Sequence, residues 1–386
     1  MTLGGAAVCV PIGISIAIFG RKMVMLVMVI PYLLGWACII WAANVFMLYV
    51  GRFVVGASGA SFCVTVPMYT TEIAEIQIRG VIGCFYQLWI VHGILYSYGV
   101  GAAFPPIIVN TLCGILPILF FAFFFWMPES PVYLAQKGRD EQAEKSMRWL
   151  RGDDADISAD MKAILEDANK EKQKLMEGMS RMGSMWGLCI SITLMFFQQF
   201  TGINAIIFYS TSIFTKAGTG ISPEWCTVIL GIVQVFATIM AIMMVDKSGR
   251  RVLLLISAIL MCLTTLMMGL DFHYLKDANV GWLPVFSTCL FMVGFSMGFG
   301  PVPWLVIGEM FAEDMKPLLG SIVGVCNWLF AFCITKCFPI CLDIFGGAAT
   351  FWLFAIISFL ACVFIILLVP ETKGKTLNEI QELFGG

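Results

Sequence analysis

Charge is what this sequence has least of. Only 12% of its 386 residues are Asp, Glu, Lys or Arg, about half the share found in an ordinary soluble domain. No such residue occurs from Met23 to Gly51, from Gly80 to Pro128, or from Ala278 to Gly308. Each run exceeds the roughly 20 apolar residues a helix needs to cross a bilayer. The second is long enough for two crossings, with "AAFPP" (102–106) as the turn between them. Histidine is nearly missing, with only His92 and His273, and the fourteen cysteines include no Cys-x-x-Cys. A metal centre or a disulfide framework is therefore not expected, and the cysteines read as small apolar packing residues. No glycine-rich phosphate loop, metal-ligand spacing or nucleophile–base pair is found, so an enzyme is not expected either. Short alternating segments of the kind that build a β-barrel are absent as well.

What is present is apolar, at 60% of the chain. The runs predict an all-α membrane protein with eleven spans, at about 2–20, 23–43, 45–70, 80–101, 105–127, 184–210, 224–245, 252–271, 281–304, 318–341 and 349–369. Threaded alternately, these spans put Arg21, Lys22, Arg79, the bases from Lys137 to Arg181, Lys247, Arg250, Arg251, Lys316, Lys373 and Lys375 on one side. Basic loops mark the cytoplasmic face, so the carboxyl terminus of this multi-pass protein is expected inside. Arg52 lies about two turns deep in its span and calls for a partner. Lys336 is expected to snorkel, and His92 to be packed and hydrogen-bonded.

Three loop signatures occur twice in the same order. Gly20-Arg21-Lys22 returns as Gly249-Arg250-Arg251. Glu72 with Arg79 returns as Glu309 with Lys316, and Pro128-Glu129 returns as Pro370-Glu371. The offsets, 229, 237 and 242 residues, drift slowly, as in diverged halves. Repeats running in the same sense are one signature of a two-bundle transporter. They divide the chain into an N-terminal helical bundle (1–131), a linker (132–183), a C-terminal bundle (184–370) and a tail (371–386). A helix precedes the second glycine–arginine loop's span but not the first, so the first transmembrane helix of the usual twelve is expected to be missing. The linker is nearly neutral, and its Glu141–Lys145, Glu144–Arg148 and Glu166–Lys170 spacings predict short amphipathic helices.

"GRFVVGASGASFCVTVPMYTTEIAEIQIRG" (51–80), "PESPVYL" (128–134), "QQFTGIN" (198–204), "DKSGRR" (246–251), "GFGPVPW" (298–304) and "VPETKGKTLNEI" (369–380) together resemble the sugar porter branch of the major facilitator superfamily, the family of the facilitative glucose transporters. The resemblance runs over the whole chain. "GPVPWLVIGEMF" and "NWLFAFCITKCF" are most similar to insect trehalose transporters. It implies the major facilitator two-bundle fold with a pseudo-twofold repeat, a small-molecule sugar as partner beside the lipid bilayer, no nucleic acid and no cofactor.

The amides of "QQFTGIN" have a physical reading. A polar side chain in hydrocarbon is costly unless it faces a bundle interior or an aqueous cavity, and an amide both donates to and accepts from sugar hydroxyls. Gly202 permits local unwinding that would aim Asn204 inward. The resemblance places Gln198, Gln199 and Asn204 in the sugar site, with Gln87, Gln234, a stacking Trp304 and Asn327. The other reading is that these amides bond neighbouring helices. The resemblance also assigns Arg21, Glu72, Arg79, Glu129, Asp246, Arg250, Arg251, Glu309 and Glu371 to a cytoplasmic gate, with ion pairs expected across the two bundles.

Three positions depart from the family pattern. Ser296 stands where many glucose transporters carry a glutamate, Ala17 where the loop motif has an acid, and Val132 in place of an arginine. The leading expectation is a uniporter working by alternating access on trehalose or a hexose. Proton-coupled symport is the alternative, together with a truncated, non-transporting regulator or sensor.

Overall fold

The computed structural model describes residues 1–75, 79–152, 155–158, 160–165, 182–218, 220–275, 282–311 and 316–373. Among them no strand occurs, and the chain is a multi-pass helical membrane protein. The first five helices are α1 (Thr2–Phe19), α2 (Arg21–Ile40), α3 (Val45–Ile73), α4 (Arg79–Ala103) and α5 (Pro106–Phe124). Two short helices follow, α6 (Pro131–Gln136) and α7 (Asp140–Arg151). The rest are α8 (Met182–Phe200), α9 (Ile203–Ala217), α10 (Pro223–Ser248), α11 (Arg250–Leu270), α12 (Trp282–Met297), α13 (Val302–Met310), α14 (Lys316–Ile344) and α15 (Gly346–Leu368), with a π-turn at Asp271–Leu275 after α11.

Among the described residues, 10 segments are long and apolar enough to cross a membrane. The 25-residue α4 supplies the remaining expected span. Two expected single helices are broken. Between α8 and α9, Gly202 takes φ 102°, in the left-handed region, and an added Cβ there would lie 2.7 Å from the ring of Phe354. Both facts call for glycine. Between α12 and α13 the chain turns through Gly298-Phe299-Gly300-Pro301. Proline lacks the N–H that would continue the ladder. The sequence reading anticipated the first break and missed the second, although two glycines and a proline mark it.

The chain divides into two compact units. One comprises Met1–Tyr86, Pro106–Arg181 and Ala312–Trp328; the other comprises Gln87–Pro105, Met182–Phe311 and Leu329–Gly386. This division by packing differs from division by repeat, because each unit takes in one piece of the opposite repeat. In the first unit Gly5 of α1 lies against the Trp328 indole of α14, where an added Cβ would sit 2.8 Å from the ring. In the second, Gly231 of α10 lies against Leu95 and Tyr98 of α4.

The start of the linker is part of the first unit. Tyr133, Leu134, Ala135 and Ala143 form an apolar cluster with Met161, Ile164 and Leu165. Arg151 closes the stretch by donating from Nη1 to Ile73 O at the end of α3, 2.9 Å away. The Glu144–Arg148 ion pair forms at 2.9 Å on an exposed face. The Glu141–Lys145 pair does not form among the described residues, and Glu166–Lys170 lies outside them. Most buried Ser and Thr hydroxyls in the spans donate to a carbonyl one turn back, as Thr65 does to Ser61, Thr264 to Leu260 and Ser358 to Phe354. Such bonds hide a hydroxyl from lipid without a second helix.

Candidate functional site

The duplicated loop motifs fold into two matching anchors. In the first unit the chain turns from α1 into α2 at Gly20, with φ 93° and ψ 169°. An added Cβ there would overlap the Glu129 carboxylate. That carboxylate accepts from the first backbone N–H groups of α2, those of Arg21 (3.0 Å) and Lys22 (3.1 Å). It therefore caps a helix N-terminus with negative charge. The Arg21 guanidinium grips Glu72 Oε1 on α3 at 2.7 and 3.1 Å. Glu72 Oε2 in turn accepts from Ser130 Oγ.

The second unit repeats each step. Gly249 turns with φ 85° and ψ 153°, and an added Cβ would sit 2.7 Å from Glu371 Oε2. Glu371 accepts from the backbone N–H of Arg250 (2.9 Å) and Arg251 (3.1 Å). Arg250 grips Glu309 Oε1 at 2.8 and 3.0 Å. Glu309 Oε2 accepts from Thr372 Oγ1 at 2.5 Å. Arg251 is turned away, donating to Ile366 O.

This corrects one expectation. The ion pairs were expected to run across the two bundles, whereas those described for Arg21 and Arg250 close within one repeat. The physical reason is the glycine turn, which places each arginine at a helix start beside its own repeat's glutamate. Ser130 and Thr372 were missed, although a hydroxyl residue follows Pro-Glu in both halves. The side chains of Arg79 and Asp246 lie outside the described residues.

The amides of "QQFTGIN" lie in the second unit. Gln198 and Gln199 leave 4% and 5% of their surface exposed. Gln198 Nε2 donates to Phe299 O at 2.6 Å and, more weakly, to Gly300 O at 3.3 Å. These carbonyls belong to the α12–α13 break, so one broken helix supplies the donor that the other requires. Gln198 Oε1 accepts from Gln199 Nε2 at 3.3 Å, and Gln199 Oε1 accepts from Asn204 Nδ2 at 2.5 Å. The three form a continuous chain across the Thr201-Gly202 break.

Gln234 on α10 differs from them. It is 2% exposed, and its Oε1 is buried without a hydrogen-bond partner among the described residues. Gln87 on α4 is half-buried, Trp304 on α13 is 44% exposed, and Asn327 on α14 is buried in the other unit.

Several lesser expectations are corrected. His92 is hydrogen-bonded to Leu88 O at 2.8 Å, but it is exposed rather than packed. Cys333 and Cys337 are exposed rather than packed inside, and no disulfide forms among the described cysteines. Arg52 is exposed. Asp271, at the end of α11 farthest from the anchor, is 5% exposed. Its carboxylate has no hydrogen bond among the described residues.

Paired broken helices, buried amides and duplicated anchors define a membrane transporter of the major facilitator fold. The proton:xylose symporter XylE, an E. coli protein, superposes with a TM-score of 0.79 at 26% identity, over 99% of this chain and 86% of that one. The family described as "Sugar (and other) transporter" matches residues 1–384, and the chain belongs to that family, whose members are transporters rather than enzymes. It is 36% identical over its whole length to the facilitated trehalose transporter Tret1 of Drosophila mojavensis, covering 46% of that protein. The Tret1 of Aedes aegypti is also 36% identical, with 49% of its length covered. The chain thus spans about half the length of these curated relatives.

Proposed function

We propose that the protein carries trehalose or a hexose across a membrane by facilitated diffusion, alternating between two faces of one binding site. The observation that carries this reading is Gln234 Oε1, a buried carbonyl without a hydrogen-bond partner among the described residues, on a helix of the same unit as the Gln198–Gln199–Asn204 chain. A buried acceptor left empty costs roughly 1–3 kcal/mol, and a sugar hydroxyl is a fitting donor. The amide chain supports the same site. Gln198 is largely spent on Phe299 O and Gly300 O, whereas Asn204 Oδ1 accepts no hydrogen bond among the described residues. We assign Gln234 and Asn204 to direct sugar contact, Gln198 and Gln199 to holding the broken helices, and Gln87 and Trp304 to the surrounding wall. The two anchors would keep each repeat rigid while the repeats move. We place the anchors and the carboxyl terminus on the cytoplasmic side of the cell membrane.

A second reading, proton-coupled symport, is favoured by the likeness to a proton:xylose symporter and by the buried Asp271. Uptake of labelled trehalose and glucose into vesicles separates the two. A uniporter equilibrates sugar and ignores an imposed pH gradient, whereas a symporter accumulates it. Gln234→Leu and Asn204→Ala are each expected to raise the half-saturation concentration by up to about tenfold, the worth of one uncharged hydrogen bond. Unchanged half-saturation in both variants would remove these amides from the site.

A further inference from the structure

We propose that Tyr98 is a latch between the two repeats, a positioning residue that holds the far half of the broken helix and releases it once per cycle. The release step rests on the alternating-access reading above; the tie itself does not.

Tyr98 lies nineteen residues along α4 from Arg79, which at 1.5 Å per residue is about 28 Å from the anchor end of that helix. Its hydroxyl donates to Ile207 O on α9 at 2.8 Å. That carbonyl sits just before a flaw in the helix, because Tyr209 has φ −117° and ψ 15°, outside helical values. A distorted turn in a membrane span needs side-chain partners to satisfy its backbone. The ring of Tyr98 is held in place by the close approach of α10. An added Cβ on Gly231 would lie 3.0 Å from Leu95 and 3.2 Å from the Tyr98 ring. Beyond the flaw, Tyr209 Oη donates to Thr335 O on α14 at 3.0 Å.

These two bonds differ in what they join. α4 lies between Glu72 and Glu129 in sequence, so it belongs to the first repeat; α9, α10 and α14 belong to the second. The Tyr98 bond therefore ties one repeat to the other, whereas the Tyr209 bond stays inside one. When the end opposite the anchors opens, the first bond must part and the second need not.

The test compares the full chain with Tyr98→Phe and Tyr209→Phe in lipid nanodiscs and in vesicles. Without sugar, hydrogen exchange over 203–217 should rise about fivefold in Tyr98→Phe, the change expected for one net hydrogen bond. In vesicles, the ratio of half-saturation concentrations on the two faces should shift about fivefold in Tyr98→Phe and stay constant in Tyr209→Phe. Unaltered exchange in Tyr98→Phe overturns the latch, and so does an equal shift of the ratio by Tyr209→Phe. If exchange responds while neither the parent chain nor the variants carry sugar, the tie stands and the transport reading fails.

Discussion

In the first anchor, Arg21 and Glu72 leave 8% and 14% of their side chains exposed; in the second, Arg250 and Glu309 leave 13% and 28%. The bonds are the same, so the difference comes from what surrounds them. The Tyr133 ring of α6 lies over the Arg21 guanidinium, 5.1 Å from centroid to carbon. Its hydroxyl donates to Ile18 O at 2.6 Å, and Ser130 is fully buried. Four residues after Glu371, the place that Tyr133 holds after Glu129, the sequence has Lys375. A duplicated motif has thus kept its hydrogen-bond pattern while its shielding diverged. Burial decides what an ion pair is worth once broken, because a lone carboxylate in a dry site cannot recover its hydration.

The largest expected effect follows directly. Arg21→Ala leaves Glu72 unpaired and sheltered, and should cost about 3–5 kcal/mol. Arg250→Ala leaves a carboxylate that reaches water, and should cost about 1–3 kcal/mol. Thermal unfolding of the purified chain in detergent measures both, and a greater loss for Arg250→Ala would break the comparison. The hydroxyls come next. Ser130→Ala and Thr372→Ala each remove a donor to a charged acceptor, worth about 1.5–3 kcal/mol. Ser130 also accepts from Tyr133 N at 3.3 Å as the cap of α6, so its loss should be the larger by about 0.5–1 kcal/mol. Thr372→Ser keeps the hydroxyl and should be nearly neutral; a loss equal to that of the alanine variant would mean that the methyl group matters instead.

How much of this was legible follows from the range of each interaction. The spans were readable because lipid imposes a local rule on some twenty residues at a time. The anchors were half-readable. The duplicated Gly, Arg and Glu positions announce themselves, but pairing within a repeat depends on the turn at Gly20 and Gly249, which spacing does not encode. Gln198 shows the limit most clearly. Its type and apolar surroundings pointed to a polar interior, yet its main partner is a carbonyl 101 residues away, made available only because a second helix breaks. Asp271 closes the expected span 252–271, and nothing in the sequence signals the π-turn in which it is buried.

The smallest expected effect concerns pH and the more open anchor. Burial opposes charge on Glu371, but this is outweighed by backbone N–H bonds from Lys373, Arg250 and Arg251 and by the Arg250 charge, so its carboxyl titrates below the ordinary 4.5. A folded-state pKa below the unfolded one contributes stability that is complete above the unfolded value and lost as pH falls through the folded one. The contribution of this group to the thermal midpoint should therefore be full and constant between about pH 7 and pH 5, and should be lost on further acidification. Glu371→Gln retains one carbonyl acceptor but no titrating charge. It should lower stability at neutral pH and make the acid-side fall shallower, so that the variant and parent curves converge as the parent carboxyl protonates. Parallel curves at every pH would assign the acid sensitivity to other carboxylates and leave Glu371 as a neutral cap. Convergence would show that its charge is what fastens the start of α11.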